Sequence, residues 1–177
     1  MILSGLDLIE AVLMPTPKSE MNLPLIRKIE RQFQWFSSLT DNGSWEISEP
    51  TVSGWSVSQH MDHILKAAQR ILSLIGKNEQ SATKKGNLFG KIILLIGIIP
   101  RGRKSPKVVE GEQKSKEELI DSLNCVSKLL NELKPEYLET SNFDHHVFGG
   151  LNGRDWLRFM FIHNNHHIKI IRKILNA

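Results

Sequence analysis

The chain has 177 residues, 40% of them hydrophobic and 24% charged, with a net charge of +4 at neutral pH. That length supports one domain with a real core, and the balance excludes a disordered or membrane-like polypeptide. The lone cysteine, Cys125, excludes a disulfide framework, and its place between Leu123 and Val126 in a helical pattern reads as a small core side chain.

Met1 to Met14 is apolar but carries Asp7 and Glu10 and no basic residue, which makes it a poor signal peptide. Pro15 and Pro17 then break the chain. Residues 1–21 therefore read as an N-terminal extension of a domain at 22–177, in a cytoplasmic protein. The first long helix is expected from Leu23 to about Leu39, with Pro24 in its first turn and Leu25, Ile26, Ile29, Phe33 and Phe36 as its apolar stripe. Asp41 to Gly54 is rich in Gly, Ser, Pro and Asn and reads as loop.

The second helix is expected from Ser56 to about Ile75, before Gly76, with Val57, Met61, Ile64, Ala68, Ile71 and Ile75 at spacings of four and three. A long crossover, Lys77 to Lys114, holds a short apolar helix at about Leu88 to Ile96. Its longest apolar run, Ile92 to Ile99, contains Gly97 and is too short to span a bilayer. The basic residues cluster here, from Lys84 to Lys116. Only Phe89 interleaves with them, which argues for a solvated loop face and against a nucleic-acid surface.

Ser115 and Glu118 form a capping-box pattern at the start of the third helix, which runs through Leu119, Leu123, Val126, Leu129 and Leu130 to about Leu133, before Pro135. The fourth runs from Asp155 to about Leu175, entered through Asn152 and Gly153. No strand-period stretch of useful length is present. Four amphipathic helices with one elaborate crossover between the second and third argue for an all-α, four-helix bundle.

The fourth helix carries the sharpest signal. Trp156, Met160, His163, His167, Ile170 and Ile174 recur at four-three spacing, so two histidines occupy a seam normally given to Leu or Ile. Residues four apart share a helix face, about 6 Å between Cβ atoms, so both imidazoles can converge on one ion. Hydrogen-bonded core histidines are the alternative, because unpartnered buried nitrogens cost free energy. His166 falls off the seam. On the second helix, His60 and His63 line a strip with Ala67, Ile71 and Leu74. His63, one turn inside the helix, would complete a three-histidine site with His163 and His167. Three protein ligands with an open position is the catalytic arrangement. Imidazole suits zinc, nickel, copper or iron, and the ligand set does not choose among them; zinc or nickel is the expectation, with the identity not determined by the sequence.

Three motifs in order resemble the DinB/YfiT-like superfamily. They are Trp55-Ser56 with His63-Ile64 eight residues after the Trp; Phe148-Gly149-Gly150-Leu151 before Asp155-Trp156-Leu157; and His163 to His167 as H-x-x-x-H. Ile99-Pro100-Arg101-Gly102 with Ser105-Pro106 is similar to a crossover loop of some members. His146 stands where many members have Pro. The resemblance spans about Leu23 to Ile174. It implies an up-down-down-up bundle, a divalent metal on His63, His163 and His167, and hydrolase or thiol S-transferase activity on a small-molecule substrate. A homodimer is a further expectation. The other class is a non-catalytic metal-binding or stress-response interaction module. No carboxylate stands out as a general base: Glu46 and Glu49 are in a loop, and Asp62 points away from His63. His60 or His145 is left to serve as base, and Arg101 is the best choice to meet an anionic substrate group.

Overall fold

A computed structural model describes residues 18–100 and 106–177. The expected extension lies almost wholly outside the described residues, and so does Arg101. Among the described residues, six helices and one small hairpin follow in order: α1 (Lys18–Asp41), α2 (Val57–Gly76), α3 (Leu88–Ile96), α4 (Lys116–Asn131), α5 (Tyr137–Thr140), β1 (Asn142–His145), β2 (Gly149–Asn152) and α6 (Gly153–Leu175). Single 3₁₀ turns at Ser44–Glu46 and Lys107–Val109 interrupt the loops.

Three of the four long helices start where their caps say they should. Ser56 and Gln59 close a capping box on α2, and Ser115 and Glu118 close one on α4. Asn152 accepts from the Asp155 amide at the start of α6. Helix α1 begins earlier than expected, so Pro24 lies inside it rather than in its first turn. The stripes then bury. Ile29, Phe33 and Phe36 of α1 meet Met61, Ile64, Ala68 and Ile71 of α2, Leu119, Leu123, Val126 and Leu130 of α4, and Trp156, Met160, Ile170 and Ile174 of α6 in one core cluster. Helix α2 packs on α4 and α6, and α1 packs on α6 and α4.

Two expectations are corrected. Cys125 is exposed, because it stands about 200° round the helix from Leu123 and so faces away from the α4 stripe. The all-helical expectation misses the hairpin, whose strands pair antiparallel with Phe143 opposite Leu151 and His145 opposite Gly149. Four-residue strands give too little alternation to be read as strand. What holds the hairpin is tertiary: Phe143 stacks on Trp156 at 4.7 Å, and the Trp156 indole donates to the Phe143 carbonyl at 3.1 Å. Gly149 adopts φ +76° at the turn, with the Lys85 carbonyl 2.4 Å from where a Cβ would stand.

The run His163 to His167 is divided between two neighbours. Asn164 is fully buried and donates to Gln32 Oε1 of α1 at 3.0 Å, and Gln32 donates to Asn165 Oδ1 at 2.9 Å. The amides thus tie α6 to α1, while His163 and His167 face the other way, towards α2. Among the described residues, no helix is long and apolar enough to cross a membrane.

Candidate metal centre

His63, His163 and His167 each present one ring nitrogen, and these three atoms lie within 4.8 Å of one another. His63 Nε2 stands 3.0 Å from His163 Nε2. His63 and His167 are buried, and His163 is half-buried. Two helices make the site: α6 supplies the pair one turn apart, and α2 brings His63 against it across the seam.

The outer nitrogens of two of the three are already engaged. His63 Nδ1 donates to the Val109 carbonyl. That fixes the proton on Nδ1 and leaves Nε2 as a bare lone pair facing the cluster. His167 Nδ1 lies 2.9 Å from His60 Nδ1, and His60 Nε2 lies 2.9 Å from Ser53 Oγ. If His167 Nδ1 carries a proton, it donates to His60, and His60 Nε2–H then donates to Ser53. The remaining His167 nitrogen is left unprotonated, as a ligand must be. The Trp55 ring covers the cluster, with its centroid 5.2 Å from that of His63 and 5.4 Å from that of His60.

Burial holds His163 and His167 well below the ordinary imidazole range, and neighbouring histidines push them further down. His63 is also lowered by burial, with the Val109 hydrogen bond opposing it. Neutral imidazole is the ligating form, so the environment prepares the donors for a cation. Neutral donors, a shared inward direction and the fixed tautomer of His63 fit a borderline divalent ion.

The crossover carries more of the site than its sequence suggests. Asp62, buried on α2, pairs with Lys66 at 2.9 Å and accepts the Glu112 amide at 2.8 Å; Ser58 Oγ accepts the Lys114 amide at 2.9 Å. These contacts hold residues 109–114 along α2 and place the Val109 carbonyl at His63. Gly111 permits the approach: a Cβ there would stand 2.1 Å from the Gln59 carbonyl oxygen and 3.3 Å from His63 Cβ. Gly111→Ala is expected to destabilise the fold by roughly 1–3 kcal/mol through overpacking. It should also weaken metal binding, because the Val109 carbonyl moves off His63. Urea unfolding and metal titration check both effects; a variant as stable as the parent and binding equally would show that the segment has room to shift.

The sequence by itself assigns no part in the site to Ser53, Trp55, Val109 or Gly111. Trp55 was legible as part of the helix-opening pattern, but nothing local marks the other three. His60 has both ring nitrogens engaged, so it is placed to support His167 rather than to act as the base expected of it. His145 lies elsewhere, at the end of β1. Its Nδ1 accepts from the amides of Val147 and Phe148 at 3.1 and 3.2 Å, so its basic lone pair is taken up as well. Asp144 accepts from Thr83 and from the Thr83 and Lys84 amides.

A cavity of about 1180 Å³ opens beside the three histidines. Its wall includes the α2 strip His60, His63, Ala67, Ile71 and Leu74 and, across from it, Phe148, Phe159 and His145. A three-histidine cluster that could hold a metal ion thus lines an apolar cavity between two long helices. The family model of the DinB superfamily matches residues 25–171, and the chain belongs to that superfamily. No curated protein and no solved structure matches it.

Proposed function

We propose that the protein is a metal-dependent enzyme of the DinB type, with His63, His163 and His167 holding one divalent ion, zinc or nickel. The frame is read as a four-helix bundle of up-down-down-up type, supported by the packing of α2 on α4 and α6 and of α1 on α6 and α4. The single observation that carries the reading is the convergence of three neutral imidazoles, two of them with their outer nitrogens held by protein partners. Three protein ligands leave a coordination position for a small molecule. An ion there lowers the pKa of a bound water or thiol and so supplies a nucleophile at neutral pH.

Within that reading, transfer of a low-molecular-weight thiol is favoured over hydrolysis. Hydrolysis gains typically 10²–10⁴-fold from a positioned base. Asp62 and Asp144 are committed to ion pairs and amides, and the free lone pairs of His60 and His145 are engaged. A thiolate attacks without that help. The apolar wall of the cavity accepts the carbon body of an electrophile and keeps water from the nucleophile.

The competing reading is a non-catalytic module whose metal is structural, and the two differ in what added ligands do. Cobalt-loaded protein is expected to change its visible spectrum on addition of a small thiol, because a position is open to it. Chelation is expected to lower the melting temperature only modestly and to leave the helical circular dichroism intact, since the core stripes do not depend on the ion. Collapse of the helices on chelation, with a cobalt spectrum indifferent to thiols, would replace the enzyme reading with the structural one.

A further inference from the structure

His145 is held in a way that the metal site does not explain. Two backbone amides converge on its Nδ1, one from Val147 and one from Phe148. An imidazole nitrogen that accepts cannot carry the proton, so the proton sits on Nε2. The ring is fixed on every side: it stacks on Phe148 at 4.2 Å, meets Phe159 edge-on at 4.7 Å and touches Trp156 at 5.3 Å. Protonating Nδ1 would set an N–H against two N–H donors. Burial acts in the same direction, so the ring is neutral at physiological pH. The side chain lines the large cavity, and among the described residues no acceptor takes its Nε2–H. The result is a single oriented N–H donor in an aromatic wall.

Phe159 links this wall to the metal centre. It stands between His145 and His163, 4.7 Å from the first and 5.5 Å from the second, centroid to centroid. A ligand lying along Phe159 can reach both the donor and the three-histidine end. Apolar cavities with a few placed polar groups fix a ligand's orientation in this way.

We propose that the cavity binds an aryl- or alkyl-bearing carbonyl compound whose oxygen accepts the His145 Nε2–H while its carbon body lies against Phe148 and Phe159. His145 is thus a substrate-orienting donor that polarises the carbonyl, and the substrate class is an electrophilic ketone, ester or conjugated carbonyl. This deepens the function proposed above and rests on it for the reacting end of the ligand. The hydrogen bond itself does not need the ion.

The test uses benzylacetone, a neutral aryl ketone, with butylbenzene as the analogue lacking oxygen. Metal-free protein is titrated with each, following tryptophan fluorescence, and the ketone carbonyl stretch is read by infrared difference spectroscopy. Wild type is expected to shift the carbonyl band to lower frequency. His145→Asn keeps an oxygen where Nδ1 stood, so it retains the turn, but it withdraws the donor from the cavity. It should bind the ketone about fivefold more weakly, the effect of one neutral hydrogen bond, with an unshifted band and unchanged butylbenzene binding. His145→Gln, which restores an N–H at the Nε2 position, should recover the shift. His163→Ala should retain it, so that loss of the metal reading and loss of this one are separable. Equal ketone binding by wild type and His145→Asn with an unshifted band in both, or no saturable binding by wild type, would overturn the proposal. Should His145→Asn fail to fold, the wild-type nitrogen-15 spectrum decides: a proton found on Nδ1 of His145 overturns it, and one on Nε2 with a shifted band supports it.

Discussion

Removing any one of His63, His163 or His167 is expected to abolish stoichiometric binding of a divalent ion. The three ring nitrogens converge within 4.8 Å, and two remaining imidazoles supply too few donors to hold an ion in competition with water. Outer partners of a ligating histidine are typically worth 10–100-fold in affinity, so loss of a ligand itself should exceed roughly 100-fold. The same rule ranks the neighbours. His60→Phe removes the partner of His167 Nδ1 and should cost about 10–100-fold. Elemental analysis of untagged protein, followed by competition titration, measures all four variants. Full metal content in every one of the three alanine variants would end the proposal. The pair His63–His163 would then be read as one N–H···N hydrogen bond, for which its 3.0 Å separation is also suited.

Acidification should destabilise the metal-free protein well before its carboxylates titrate. Burial pushes His145 down to about 3 from an ordinary value of 6.5, and it lowers His63, His163 and His167 as well. The unfolded chain therefore binds protons that the folded chain refuses. Stability is fully present above pH 6.5 and falls as pH drops towards each folded value. For His145 alone, the step from pH 6.5 to 5 costs about 2 kcal/mol, at 1.36 kcal/mol per unit. The other three act in the same direction. Unfolding free energies from urea titrations at pH 7.5 and pH 5, in the presence of chelator, should differ by at least that amount, and His145→Asn should reduce the difference. Equal stability at the two pH values would mean that these rings reach solvent in the native ensemble.

Much of the frame was legible in the order of residues, because its causes are local. Capping boxes at Ser56 and Ser115 act within one turn, and apolar stripes recur at helical spacing. His163 and His167 share a face simply because they are four residues apart. The strip His60–His63–Ala67–Ile71–Leu74 is likewise a helix face, and it lines the cavity wall. The hairpin was not legible, since its strands are too short to show a period and are held by Trp156 and by the Lys84 carbonyl, which accepts the Gly150 amide at 3.0 Å. Cys125 was misplaced by reading its neighbours along the chain instead of its angle around the helix.

What the sequence determines by itself is which faces the helices present and which residue types those faces carry. The tertiary structure alone decided that the Val109 carbonyl would orient His63 and that His60 would stand behind His167. It also turned His145 from a base into a donor, by aiming two backbone amides at one of its nitrogens. The physical reason is the same in each case. A side chain's secondary structure follows from neighbours within a turn, whereas its protonation, tautomer and ligating direction depend on polar groups brought to it by packing, and those groups leave no periodic mark in the chain.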